Sequence, residues 1–415
     1  MTPGDTADEL RRVYPSVLGK LLRFTGSLAD AEDAVHDAVE RALSSWVESG
    51  WPDSTEAWLV TVARNAHLDR RRRSRRAERH GDAVASLAQL SPWARVAVAE
   101  PAVLRGFKDE LLRLLFACCH PALEVGESAA LALATVVGLS NDEIARAFLV
   151  APRSMEQRLT RARKRLREKG DVEGTTPERG VERLPAVLRC LHLLFNEGYW
   201  SGEDHTPIRA DLCRLAIGLA RSLAETYPRE PEVAGLLSLL LLHDARRDAR
   251  LDERGRPVPL PEQDRTLWDH DTIAYATAML DRAVSARAPG PFQTEAAIAA
   301  VHCRAPTADA TEWLEIASLY ALLENFRPMA AVRVNRAFAL GKAEGPAAGL
   351  ELLSRTDISV GDYPYVHLVR GALLADAGDP AAAALALSEA ARVARNEHER
   401  ARIEERIACL GLPDE

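Results

Sequence analysis

Aromatic residues make up only 5% of this 415-residue chain, and no uncharged apolar run is long enough to cross a bilayer. The longest candidate, LLSLLLL at 236–242, runs straight into His243, Asp244, Arg246 and Arg247, short of the roughly 18 apolar residues that mark a spanning helix. No membrane contact is expected. The first residues, MTPGDTADELRRVYP, lack the basic-then-apolar order of a secretory signal, so the chain is expected to stay in the cytoplasm. Six cysteines with no CxxC spacing argue against a disulfide framework and for reduced, mostly buried thiols. No nucleophile elbow, HExxH or P-loop occurs either, so enzymatic activity and a cofactor are not expected.

What is present is helix-forming. Apolar residues reach 47%, with Ala, Leu and Arg abundant, which predicts an all-α chain large enough for two or three domains. The net charge of −8 averages two unlike parts. Up to Gly174 there are 26 Lys and Arg against 25 Asp and Glu; the remainder has 27 against 36. The basic residues of the first part are also clustered, with seven arginines between Arg70 and Arg79 and eight Lys or Arg between Arg153 and Lys169. Two basic faces followed by an acidic helical body suggest two contacts with a polyanion and a third part with another task.

The second cluster follows ESAALALATVVGLSNDEIARAFLVAP. Gly138 suits a left-handed helix end, and Ser140 with Glu143 three residues on predicts a capping box for a short helix over 141–148. A tight turn and a long helix from about Arg153 complete a helix-turn-helix pattern. Met155, Leu159, Ala162 and Leu166 form one inward stripe, so Arg153, Gln157, Thr160, Arg161 and Lys164 point outward. Those side chains suit a major groove: Arg for guanine, Gln for adenine, Thr for a thymine methyl, Lys for phosphate.

The first cluster ends the stretch WLVTVARNAHLDRRRRSRR. Trp58, Leu59, Val62, Ala63 and Ala66 bury one face, leaving Arg64, Asn65, Asp69 and Arg72 on the other. A loop with Gly50, Trp51 and Pro52 precedes it, and GSLADAEDAVHDAVERALSSW before that is an amphipathic helix with an acidic start.

With these motifs in order, GSLADAEDAVHDAVERAL and AWLVTVARNAHLDRRRR resemble region 2 of the extracytoplasmic-function sigma factors, and GLSNDEIARAFLVAPRSMEQRLTRARKRLR resembles their region 4. The remainder, with RCLHLLFNEGYW, LLHDARRDAR, PEQDRTLWD and FQTEAAIAAVH, is similar to the subgroup carrying a C-terminal extension of tetratricopeptide-like helices. The resemblance implies a nucleoid-associated promoter-specificity subunit that binds core RNA polymerase at the β′ clamp and β flap and reads promoter DNA. It divides the chain into region 2 at 1–80, a linker at 81–107, region 4 at 108–174, a helical extension at 175–310 and tetratricopeptide-like repeats at 311–415.

Carried onto these residues, the resemblance implies that Asp30, Glu32, Asp33 and Asp37 dock to the polymerase clamp. Arg64, Asn65, Asp69, Arg70, Arg72 and Arg73 meet the −10 element, and Arg153, Gln157, Thr160, Arg161 and Lys164 the −35 element. Trp51 either stacks on a flipped base or anchors its loop by packing. The arginines from Arg70 to Arg76 would track phosphates as the strands part.

Cys118, Cys119 and His120 invite a zinc reading, but adjacent cysteines without a second pair favour packing. His192, His243, Asp244, Glu262, Asp264 and Asp269 lack catalytic spacing and are read as buried polar networks between helices. From about Thr311 the chain repeats at 34 residues, as in Arg336 and Arg370 or Leu340 and Leu374, predicting helices at 311–324, 329–342, 346–355, 363–376, 380–394 and 397–409. Such helices present a surface to a regulatory protein or peptide, or pack back on their own chain. A one-component helix-turn-helix regulator with a ligand- or peptide-sensing helical domain is the alternative reading; it has no need of the acidic docking helix.

Overall fold

A computed structural model describes residues 3–79, 110–148, 150–169, 180–199, 209–253, 258–355, 365–394 and 397–410. The chain is all-α, with no strand among the described residues. It divides into two compact units, one of Met1–Glu197 with Arg214–Tyr227 and the other of Gly198–Cys213 with Pro228–Glu415. The linker expected at 81–107 lies outside the described residues, as does most of the tether DVEGTTPERG.

Unit 1 begins with α1 (Pro3–Thr25), α2 (Leu28–Ser49) and α3 (Thr55–Arg79) packed on one another. Ala31, Ala34, Val35 and Ala38 of α2 are fully buried, and such small side chains let α1 and α3 approach closely. Leu18, Leu22 and Leu59 fill the space between them. Ser27 caps α2 through the Asp30 N–H.

Next come α4 (Glu110–Cys118) and α5 (Val125–Ala132), the latter widening into a π-helical turn over Leu133–Val137 where a regular helix was expected. That turn ends at Gly138, whose φ of 76° is the left-handed conformation only glycine adopts without strain. Then follow α6 (Asn141–Ala147) and α7 (Pro152–Lys169). The predicted capping box is formed: Ser140 N–H donates to Glu143 at 2.7 Å, and Glu143 N–H to Ser140 Oγ at 3.2 Å.

The core of α4 and α5 is closed by residues from beyond 175. In α8 (Leu184–Tyr199) and α9 (Ala210–Thr226), Leu191, Leu194 and Leu219 line an apolar pocket together with Leu115, Leu133 and Val136. Buried Arg183 donates to the Phe116 carbonyl at 2.9 Å, and the Phe116 ring stacks with Tyr227 at 6.1 Å between centroids. The unit boundary therefore crosses α8 and α9 rather than the tether.

In unit 2, α10 (Pro231–Asp244) is buried along Leu236–Leu242 and packs on α11 (His270–Ser285) and α12 (Pro291–Arg304). Glu232 accepts the Phe292 and Gln293 N–H groups at 3.0 Å each, satisfying the start of α12 with a negative charge. Beyond it α13 (Trp313–Phe326), α14 (Ala330–Glu344), α15 (Pro346–Ser354), α16 (Tyr365–Asp376), α17 (Pro380–Arg392) and α18 (Glu397–Ala408) follow the predicted ranges to within a few residues. Successive helices pack together, and Gly371 lets α16 sit against Leu387 where a Cβ would come within 2.7 Å.

Candidate functional site

The helix α7 presents the face that its periodicity predicts. Met155, Leu159 and Ala162 are buried, whereas Arg153, Gln157, Thr160, Arg161 and Lys164 are all exposed. Between α6 and α7 the Val150 N–H donates to the Ala145 carbonyl at 3.0 Å and the Ser154 N–H to the Ala151 carbonyl at 2.9 Å, closing the turn from which α7 leaves α6. Arg161 Nε reaches back to the Gln157 carbonyl at 3.3 Å, and Lys164 lies 3.8 Å from Glu168, both weak surface contacts that leave the donors free to reorient.

The same helix has a second basic edge, which turns inward onto α2. Arg163 Nε lies 3.3 Å from Glu32 and Arg167 Nη2 lies 3.1 Å from Asp33. Burial pushes the Glu32 carboxyl above its usual range, and the Arg163 guanidinium pulls against that shift. Arg163 and Arg167 stand four residues apart, as a paired stripe must on a helix. That spacing was visible in the sequence; their acidic partners were not.

Acidic residues of α2 also hold the first arginine of the other cluster. Arg70 Nη1 lies 3.0 Å from Asp33 and its Nη2 2.6 Å from Asp37. Arg70, expected to track phosphates, is thus turned toward the expected docking helix, because two carboxylates one turn apart offer it a fork. Asp30 is exposed, as are Asn65 and Asp69. The side chains of Arg72 and Arg73 lie outside the described residues.

Two further side chains depart from a free, outward placement. The Arg64 guanidinium sits 4.6 Å over the Phe24 ring, which also meets His67 edge-on at 5.8 Å. His67 is buried, and burial lowers its pKa. Trp51 lies against Trp46 at 4.8 Å between ring centroids, and Trp46 also meets Trp58 at 5.2 Å. One face of Trp51 is therefore used in packing, and the loop starts from Gly50 with φ 79°.

The remaining candidates serve structure. Cys118 and Cys119 are buried, with Cys119 Sγ 3.5 Å from Cys190 Sγ, and His120 Nδ1 accepts the Ala122 N–H at 3.0 Å. Burial raises both thiol pKa values. No group of three metal-ligating side chains occurs among the described residues. His192 lies 3.3 Å from Asn196, and Asp244 pairs with Arg247. Asp264 and Asp269 are exposed helix caps, bonded to Thr266 and Thr272, rather than members of a buried network. Glu262 is likewise exposed, in a 3-10 turn. No described helix is long and apolar enough to cross a membrane.

Three family models match the chain in order. Residues 10–77 match Sigma-70 region 2, residues 113–166 match Sigma-70, region 4, and residues 183–284 match a family of unknown function (DUF6596). The chain is 42% identical over 392 residues to an uncharacterized protein of Rhizobium meliloti (strain 1021), covering 94% of this chain and 92% of the relative. No solved structure matches. The two matched regions coincide with the α1–α3 bundle and with the capped turn and exposed face of α7, and this chain belongs to the sigma-70 family, whose regions 2 and 4 bind core RNA polymerase and promoter DNA.

Proposed function

We propose that the chain is a sigma factor of the extracytoplasmic-function type whose C-terminal tetratricopeptide-like helices support the two promoter-reading regions. The observation that carries the −35 assignment is the face of α7: five exposed polar side chains, Arg153, Gln157, Thr160, Arg161 and Lys164, opposite a buried apolar stripe and following the short capped helix α6. On this reading Asn65, Asp69, Arg70, Arg72 and Arg73 engage the −10 element. Arg64 does so after leaving Phe24, and Trp51 contributes its unpacked ring face to a flipped base.

Asp30, Glu32, Asp33 and Asp37 dock to the polymerase clamp. Three of these carboxylates are paired within the chain, Glu32 with Arg163, Asp33 with Arg167 and Arg70, and Asp37 with Arg70. Docking therefore exchanges internal arginines for basic groups of the polymerase, releasing α7 and Arg70 toward DNA at the same step. The pairs of Asp33 and Asp37 are exposed and worth only about 0.2 to 1 kcal/mol each, whereas the largely buried Glu32–Arg163 pair costs more to part and needs a basic partner supplied in exchange.

Reconstituted transcription tests the reading. The purified chain and core polymerase are expected to initiate at a subset of a promoter library, with initiation lost on charge reversal at Glu32 and Asp33. Sequence-specific DNA binding without any polymerase-dependent initiation would instead support a one-component regulator.

A further inference from the structure

Helix α13 turns one face to the core and the opposite face to solvent, and both are apolar. Ile316, Ala317 and Leu323 are buried with Ile298 and Val301 of α12 and Val332 of α14. On the other side Leu314, Leu322 and Phe326 are 60%, 38% and 38% exposed, and Met329 just past the helix end is 48% exposed. Leu314, Ser318, Leu322 and Phe326 recur every four residues, so they form one ridge, about 18 Å long at 1.5 Å per residue. Other large exposed apolar side chains stand on separate elements, Leu43 on α2, Val125 on α5 and Leu385 on α17. A scattered exposed leucine is ordinary on a protein surface, whereas a contiguous row marks a contact. The Ser318 hydroxyl donates to the Leu314 carbonyl at 2.9 Å, so covering the ridge strips no side-chain donor of its partner.

The two ends of the ridge carry opposite charge. At its start two carboxylates, Glu312 and Glu315, share one guanidinium, Arg304, at 2.5 Å each. At its far end two guanidiniums, Arg333 and Arg336 of α14, share one carboxylate, Glu324, at 2.8 and 2.9 Å. Arg327 at that end is balanced by Glu295. The first group therefore has a carboxylate in excess and the second a guanidinium. A surface with excess charge of opposite sign at its two ends is complementary to itself turned end for end, and repels itself when laid parallel.

We propose that the Leu314–Phe326 ridge is a self-association surface, which pairs antiparallel with the same ridge of a second copy about a two-fold axis between Ser318 and Leu322. That register sets Leu314 against Phe326 of the second copy, and the small Ser318 leaves room for the Leu322 side chain opposite. It also brings the acidic start of each ridge level with the basic end of the other. Such an isologous contact closes at two chains. One helix face is smaller than the roughly 800 Å² per partner of a standard interface, so the dimer forms in the micromolar range rather than as a permanent assembly. All the residues lie in unit 2, so the surface stands apart from the polymerase and promoter assignment.

Sedimentation velocity of the full chain, from about one to about one hundred micromolar, tests the surface. A reversible monomer–dimer equilibrium is expected, weakened at least about tenfold by Leu314→Glu combined with Phe326→Glu. Both side chains are exposed, and circular dichroism checks that the variant folds. Ser318→Cys tests the register, in a Cys409→Ser chain that lacks the exposed native thiol. Two copies should then be joined by a short bismaleimide, whereas Leu385→Cys, an exposed position on α17, should not join them. If the double variant does not fold, the Ser318→Cys and Leu385→Cys comparison decides. A chain that is monomeric at every concentration overturns the proposal and leaves the ridge to a different protein. A dimer unaffected by the folded double variant, or one that is not joined through position 318, overturns it as well.

Discussion

Arg163 Nε and Glu32 Oε1 lie 3.3 Å apart although 131 residues of sequence separate them. The pair joins the helix expected to read DNA to the helix expected to bind polymerase, so the two surfaces are not independent. If α2 docks to polymerase, replacing Arg163 and Arg167 by Gln frees Glu32 and leaves Asp33 to Arg70 alone. Affinity for core enzyme, measured by fluorescence anisotropy, should then rise at least about two- to tenfold, the lower end set by the exposed Asp33 pair and the rest by the largely buried Glu32 pair. Glu32→Lys with Asp33→Lys should weaken the same binding. Equal affinity in both variants would remove α2 from the interface.

Base reading on α7 separates into specific and general contacts. Arg161→Ala should cost about 1 to 3 kcal/mol at one −35 position and relax the preference there. Lys164→Ala should weaken binding to every sequence and lower its salt dependence. A promoter-library selection at two salt concentrations distinguishes them; unchanged base preference after loss of both Arg161 and Gln157 would show that another face of α7 reads the groove.

Truncation should depend sharply on where the chain is cut. A chain ending at Gly174 lacks Arg183, Cys190, Leu191, Leu219 and Tyr227, which complete the core around Phe116 and Leu133. A chain ending at Tyr227 retains them. The shorter fragment is expected to melt at a clearly lower temperature than the longer one, as followed by circular dichroism. Transcription by the longer fragment then reports on the remaining helices alone, and activity equal to that of the full chain would argue against a supporting role for them.

The half-buried ring of His302 makes unit 2 sensitive to acid. Its pKa falls from the ordinary 6.5 to about 4 through burial and then the charges of Arg246 and Arg265. The folded protein therefore resists protonation where the unfolded chain accepts it. Stability from this group is complete above about pH 6.5 and is lost progressively as the pH drops toward 4. His302→Phe, which preserves the edge-on contact with Trp313, should flatten the melting-temperature profile across that interval.

Close approach of α10 and α12 rests on Gly235. A Cβ there would lie 2.7 Å from the Gln293 backbone nitrogen, which the Glu232 cap holds in place. Gly235→Ala should destabilise the protein by about 1 to 3 kcal/mol through overpacking, despite the better helix propensity of alanine. A denaturant melt showing equal or greater stability would mean that the two helices separate at little cost.

Local chemistry was legible in the sequence. Apolar spacing placed Met155, Leu159 and Ala162 inside and Arg161 outside, Ser140 with Glu143 marked a helix start, and the 34-residue repeat located the last six helices. Each of these depends on neighbours within one or two turns of the same chain. Only the tertiary structure decided what the charged and aromatic side chains do: Arg70 bridges Asp33 and Asp37, Arg64 covers Phe24, Trp51 leans on Trp46, and Arg246 meets Trp268. Long side chains reach partners on other helices, and the choice among many possible partners depends on how those helices pack, a relation that no spacing along one strand of sequence contains.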